Sequence, residues 1–492
     1  MSTKNFIVAI ELGSTKIRGI AGKKNPDGTI SVLALSEEDA TQCIRKGVVY
    51  NIDKTTQAIS NIIQRLRAQL KTGIKQVFVG IGGQSIHSHH NLLFCDMPGT
   101  EGGIVSQQLI VEMMDENRAT EYSDKEVLDV HVQEYRADNL MQSDPVGIPC
   151  SRLEGNFLNI LQNKRHYQNL LKCFANADVK IADIYLAPTA LADVVLTPTE
   201  KRSGCMLVDL GADTTTVVVY YKNIVRHVAV IPLGGNSITK DLCALQLEEQ
   251  DAEKVKTKYA SAFTPENEVD GDEQYNLSPT ISVPAVKVID LVEARVDEII
   301  TNAWNQVPGE FAEKLLGGIV LTGGGAQLKN ITNAFRKITS IEQIRIAKDS
   351  NEAFTPQPIV PTSFTQNTLV GILVKGDQNC WADAATPRAN TDMFETPVAP
   401  AAEERKTSEQ ATPLSGFQTF DNAATNIEIK QKEDPKKEDP KKEEIKEETP
   451  ITEEDILIRQ YREQQEKRKE QNKDSLGNKI SRWIQALTNP EE

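Results

Sequence analysis

The chain has 492 residues, 39% of them hydrophobic and 25% charged, with a formal net charge of −15. That length supports two or more cores. The acidic balance argues against nucleic acid as a ligand, since phosphate binding needs clustered Lys and Arg, and it confines any contact with an anionic membrane to a local segment.

VAIELG (8–13) reads as a strand running into a glycine turn and TKIRGIAG (15–22) as a second strand, with a PDG turn at 26–28 leading into TISVLAL. Ile59, Ile62, Ile63, Leu66 and Leu70 give residues 53–70 helical spacing. KQVFVGIGG (75–83) returns to a strand. His87, His89 and His90 have no acidic or cysteine partner beside them and read as surface polar residues of a loop rather than metal ligands, while Met113 and Met114 read as core on an apolar helix stripe. VKIADIYLAP (179–188), GCMLVDLG (204–211), TTTVVVYY (214–221) and NIVRHVAVIP (223–232) read as strands. Residues 286–306 have helical periodicity through Val288, Leu291, Val292, Val296 and Ile299, and GGIVLTGGG (317–325) is a buried strand ending in glycines. The Pro-rich turns near 355–361 read as loops. This is a mixed α/β chain. The seven cysteines are scattered singly without C-x-x-C, which points to a reducing cytoplasm. The N-terminus lacks the apolar core of a signal peptide, and no stretch approaches about 18 apolar residues.

Near residue 380 the composition changes. Residues 381–450 are rich in Ala, Thr, Pro, Glu and Lys and carry a short KKEDP repeat, a segment too poor in apolar side chains to offset its ordering entropy. It reads as a disordered, solvated spacer. In 474–488, Leu476, Ile480, Trp483, Ile484 and Leu487 fall on one helical stripe, with Lys479 and Arg482 beside it. A helix of about 15 residues is about 22 Å long, too short to span a bilayer, so the stripe fits a helix lying in the membrane interface. Docking on the chain's own body or on a partner groove is the alternative.

The most informative feature is a duplication: VAIELGSTKIRGIA (8–21) superposes on MLVDLGADTTTVVV (206–219). Each is an apolar strand, an acidic residue, an apolar residue, glycine, and then a second strand. One copy alone is compatible with a plain hairpin; two copies point to two related domains facing each other across a nucleotide. Gly13 and Gly211 let the backbone approach phosphate, the hydroxyls of Ser14, Thr15, Thr214 and Thr215 donate to it, and Lys16 adds positive charge. Glu11 and Asp209 would repel phosphate unless Mg²⁺ or its waters intervened. TGGGAQLKN (322–330), with Gly323, Gly324, Gly325 and Gln327, follows a buried strand and precedes a helical pattern, a second way of presenting backbone N–H groups to phosphate. There is no P-loop motif, and G-x-G-x-x-G is absent at the first strand–helix turn.

These residues resemble the actin/Hsp70/sugar-kinase superfamily, and within it the FtsA family. The specific matches are Glu11 in the first turn, IPLGGNSITKD (231–241) with Gly234 and Gly235, DAEKVKTKY (251–259), GGIVLTGGGAQLKN (317–330) and TLVGILVKG (368–376), together with HVQEYRADN (131–139) and DPVGIPCSRLEGNFLNI (144–160). The last two are similar to the small subdomain that FtsA carries in place of one actin subdomain. The resemblance implies an actin-like duplicated ATPase fold of α/β class, divided as follows: 1–83 the first half, 84–178 the inserted subdomain, 179–203 a return to the first half, 204–380 the second half, 381–473 the linker, and 474–492 a membrane-targeting helix. It places Glu253 and Lys256 near the adenosine, although the residues alone read as a surface ion pair. It implies ATP and Mg²⁺ as ligands, self-association into filaments, tethering of FtsZ through the region 231–260 and its sheet, other division proteins as partners, and a place on the cytoplasmic face of the membrane at the division site. Two departures stand out. The second turn has Ala212 and Asp213 where relatives carry glycines, so Asp213 either weakens phosphate binding or helps hold the metal. Ala187 replaces a glutamate that precedes Pro-Thr-Ala in Hsp70, which implies slow hydrolysis. A sugar- or acetate-kinase-type phosphotransferase and a pilus-assembly ATPase are the rival readings.

Overall fold

A computed structural model describes residues 4–26, 29–97, 103–279, 281–347 and 366–382. The tip of the 26–28 turn, the Pro-rich turns near 355–361, all of the expected linker beyond residue 382 and the whole C-terminal helix lie outside the described residues.

The chain opens with β1 (Ile7–Leu12), β2 (Lys16–Lys24) and β3 (Ile30–Asp39), an antiparallel meander on which α1 (Ile52–Leu70) packs against β2 and β3. The Asn51 side chain caps α1 by accepting the Lys54 N–H, and the helix buries Ile59, Ile62, Ile63 and Leu66, one stripe at helical spacing. β4 (Gln76–Ile81), buried throughout, pairs parallel to β1. Then come β5 (His87–Asp96), α2 (Gln107–Ala119), β6 (Lys125–Ala137) and β7 (Arg152–Asn163), followed by α3 (Lys164–Asn176), β8 (Lys180–Leu186) and α4 (Ala187–Val195). The second half starts with β9 (Cys205–Leu210), β10 (Thr215–Tyr221) and β11 (Ile224–Ile231). It continues through α5 (Gly235–Leu242), α6 (Glu249–Tyr259) and α7 (Ala285–Trp304) to β12 (Ile319–Thr322), α8 (Ile331–Thr339) and β13 (Ile344–Ile346). α9 (Asn367–Lys375) is the last described helix.

Topology bears out the repeat. The first sheet runs β8-β4-β1-β2-β3, and the second contains the run β13-β12-β9-β10-β11. In both, the central strand pairs antiparallel with its successor and parallel with the strand before the glycine-rich loop. One apolar core, around Ile10, Ile62 and Phe78, fills the first half and takes in one face of the second half's sheet through Leu207, Val218 and Val320; the other, around Val208, Val292 and Phe335, belongs to the second half. A third, smaller core around Met113, Leu153 and Phe157 belongs to the inserted β5–β7 region. Met114 packs against it half-buried. The inserted strands extend the second half's sheet through one β5–β11 pair, His87 opposite Ala229.

Four sequence expectations are corrected. His87, His89 and His90 lie on strand β5, paired with β7, rather than in a loop; among the described residues no cluster of three metal-binding side chains forms. The strand expected over 179–188 ends at Leu186, and Pro188 sits in the first turn of α4, where its missing N–H costs nothing. α3, placed in the insert by the boundary at 178, buries Leu170, Cys173 and Phe174 in the first half's core. The segment 367–382 returns to the first half instead of completing the second. α9 packs on α4, the Cys380 N–H donates to the Phe6 carbonyl (2.9 Å), and Trp381–Ala382 pairs with Gly73–Ile74.

Candidate functional site

The repeated strand pairs end in matching turns. The Gly13 N–H donates to the Lys16 carbonyl at 3.0 Å and the Gly211 N–H to the Thr214 carbonyl at 2.9 Å. A Cβ on either glycine would lie 2.8 Å from that same oxygen, so the turn itself demands glycine before any ligand arrives. The turns face one cleft of about 830 Å³ lined by both halves, within the roughly 300–1,000 Å³ of cofactor sites.

Of the residues expected at a nucleotide site, all line this cleft except Lys16 and Asp213. Lys16 begins β2 on an exposed face and pairs with Glu37. From this strand it is Arg18 that lines the cleft, two residues on and directly opposite Glu11 in the β1–β2 register. Strand alternation puts Lys16 and Arg18 on the same face, so spacing alone did not choose between them. Asp213 turns away as well. One carboxylate oxygen accepts the Lys46 backbone N–H at 3.1 Å and the other accepts from Asn236 Nδ2 at 2.8 Å. Thr215 is fully buried, and its hydroxyl donates to the Leu233 carbonyl at 2.9 Å instead of pointing at a ligand.

Gly234 and Gly235 clamp the second turn from behind. The Gly235 N–H donates to the Gly211 carbonyl (3.0 Å) and the Asn236 N–H to the Ala212 carbonyl (2.7 Å), an approach that a Cβ at Gly234 would block at 2.6 Å. Lys256 braces this clamp. Its ammonium donates to Thr239 Oγ1 at 2.9 Å and to the Gly235 carbonyl at 3.1 Å, and it pairs with Glu253 at 2.6 Å while only 13% exposed. The Glu253–Lys256 pair is therefore part of the cleft wall and not a solvated surface pair.

The glycines 323–325 close the second half's side. Gly323 has φ +85°, and a Cβ there would lie 2.4 Å from Asp209 Oδ1; one on Gly325 would lie 2.8 Å from the Leu210 side chain. Gly324 has open space instead. In the first half, Gly82 and Gly83 follow β4 as these glycines follow β12, and they line the cleft too. On sequence alone they read as the end of a strand; the position of GIGG after an apolar strand, parallel to that of Gly323–Gly325, marks the match. Ala187 also lines the cleft.

Glu11 and Asp209 sit half-buried at the cleft floor. Burial pushes the Glu11 carboxyl up to about 7, with Arg18 pulling it down and Asp209 pushing it further up. Burial pushes Asp209 up to about 6. Glu11 Oε2 is buried with no hydrogen-bond partner. An orphaned carboxylate oxygen beside a second desolvated carboxylate is the environment a hydrated divalent cation would relieve.

The raised pKa has a consequence for the ligand-free protein. A carboxyl that holds its proton more tightly when folded contributes stability below its unfolded value of about 4.5, and that contribution is lost as pH rises through about 7. Glu11→Gln is therefore expected to raise the thermal midpoint by a few degrees at pH 7.5 and to match the parent at pH 4.5. Parallel melting curves at both pH values would show that Glu11 is not desolvated.

Comparison with known proteins agrees with this architecture. The family model described as "Cell division protein FtsA" matches residues 206–363, and "SHS2 domain inserted in FTSA" matches residues 83–161. The Cell division protein FtsA of Porphyromonas gingivalis is 30% identical over 448 residues, covering 88% of this chain and 89% of the relative. That of Pseudomonas aeruginosa is 30% identical over 351 residues, covering 68% and 81%. Among solved structures, the PilM-PilN type IV pilus biogenesis complex aligns with a TM-score of 0.51 at 13% identity, covering 76% of this chain and 98% of that one, a likeness of fold.

Proposed function

The chain belongs to the FtsA family of actin-like cell-division proteins, and from that premise we propose that it binds Mg-ATP in the cleft and uses it as an assembly ligand while tethering FtsZ polymers to the membrane. The observation that carries the nucleotide reading is the pair of matching glycine turns at Gly13 and Gly211, facing one cleft with Gly323–Gly325 beside them. Backbone N–H groups of these turns, the Ser14 and Thr214 hydroxyls and Arg18 would take the phosphates. Glu11 and Asp209 would hold Mg²⁺ through water, and the ion would neutralise phosphate charge. The adenosine would lie toward Glu253, Lys256 and Gln327. Ala187 supplies no group to orient an attacking water, so hydrolysis is slow and the nucleotide acts by shifting conformation or assembly. Self-association into filaments and contact with other division proteins belong to the same reading.

Membrane attachment would come from the stripe Leu476, Ile480, Trp483, Ile484 and Leu487. Among the described residues no helix is long and apolar enough to cross a membrane. Reversible attachment by one helix would become firm through several copies on one polymer. Liposome co-sedimentation of the full chain and a 1–473 truncation, with and without ATP, tests this. The full chain is expected to pellet and the truncation to stay in the supernatant; equal pelleting removes the anchor. Mixing FtsZ polymers with the same liposomes should bring FtsZ down only with the full chain.

A further inference from the structure

We propose that Asp213 is a latch between the two halves that holds the phosphate end of the cleft shut and slows nucleotide release. The inference rests on the nucleotide reading above for its effect on release, but not for the latch itself.

The partner of Asp213 is a small hairpin of the first half, Ile44–Arg45 paired with Val48–Val49, whose turn residues Lys46 (φ +50°) and Gly47 (φ +72°) are both left-handed. Strands of two residues are too short to stand alone, so the hairpin depends on what its turn touches. The Gly47 N–H donates to Ser14 Oγ at 2.9 Å, and the Lys46 carbonyl accepts the Gln84 N–H at 2.8 Å. Gly47 also packs against the backbone of Gly83, with no room for a Cβ on either. These contacts stay within the first half and Gln84, where the insert begins. The bond from the Lys46 N–H to Asp213 Oδ2 at 3.1 Å crosses to the second.

The Asp213 carboxylate is aimed for this. Asn236 Nδ2 holds Oδ1 at 2.8 Å, and the Asn236 N–H is itself fixed on the Ala212 carbonyl, so the acceptor is set by the glycine clamp at the start of α5. The corresponding residue of the first turn, Thr15, makes no such crossing; its carbonyl accepts the Ala40 N–H within its own half. The duplicated turns have thus diverged: one is anchored at home and the other reaches across. Ser14 and Gly47 line the cleft, so the hairpin seals the place where the two turns meet. Opening the halves must break a hydrogen bond to a charged acceptor, a stronger class than a neutral one.

Hydrogen exchange of the peptide spanning residues 43–49 reads the latch directly, and stopped-flow release of a fluorescent ATP analogue reads its effect. Asp213→Ala is expected to speed exchange of the Lys46 amide and analogue release by about tenfold each. Asp213→Asn, which keeps an acceptor but not the charge, should fall between the parent and Asp213→Ala and guards against a folding defect in the latter. Unchanged exchange in Asp213→Ala overturns the latch. Faster exchange with unchanged release from a protein that binds the analogue overturns the gating role. Faster exchange in a protein whose parent binds no nucleotide supports the latch and removes the nucleotide reading alone.

Discussion

Gly324→Asp is expected to give a folded protein that no longer binds ATP. A Cβ at Gly324 would meet nothing within 4 Å and the residue is exposed to the cleft, so the fold has no steric reason to object. Its side chain would enter a site whose floor already carries Glu11 and Asp209, both desolvated. A third carboxylate there repels phosphate in a low-dielectric setting, where charge interactions are stronger than in water. Affinity measured by calorimetry should fall by about a hundredfold or more, equivalent to about 3 kcal/mol, with the melting curve of the ligand-free protein little changed. Asp209→Ala should also lose binding, by removing one of the two carboxylates proposed to hold Mg²⁺ through water. Retained ATP affinity in Gly324→Asp would mean the nucleotide lies elsewhere.

The second large effect is on stability, and two principles disagree about its sign. Gly371 lies within α9, where replacing glycine by alanine ordinarily stabilises a helix by about 1 kcal/mol. Here a Cβ would stand 2.1 Å from the Ala190 carbonyl oxygen and 2.5 Å from its carbon. That is backbone of α4, which cannot swing aside as a side chain does. The packing term wins, and Gly371→Ala is expected to destabilise the first half by about 3 kcal/mol or more, seen as a lower denaturation midpoint. ATP binding should weaken with it, because Thr368 of α9 and Ala187 and Pro188 of α4 all line the cleft. A midpoint equal to or above the parent's would show that α9 and α4 are not in this contact.

The family readings had rivals that phosphate turns alone could not separate, because any actin-like protein carries such turns. The 30% identity to the Porphyromonas gingivalis protein over 88% of this chain decides for the FtsA family, and the insert agrees with it. Its match to the SHS2 domain covers residues 83–161 and ends just before α3, where the structure also turns from the inserted core back to the first half. The likeness to the PilM-PilN complex shows that the same fold serves elsewhere.

Local pattern determined a great deal. The strands around Glu11 and Asp209, helices α1 and α7 and the buried strand before Gly323 were legible because period-2 and period-3.6 burial is written in consecutive residues. The repeat was legible too, since two copies of one turn need the same glycine at the same place. What the chain does with long-range partners was not. That 367–382 returns to the first half, that Arg18 and not Lys16 enters the cleft, and that Asp213 reaches Lys46 instead of the ligand all depend on residues far apart in sequence. A side chain's spacing says which face it occupies, but its partner across that face is chosen only when the sheets and helices have closed, and at Asp213 that partner is a backbone N–H, a group carried by every residue except proline and therefore invisible in the sequence.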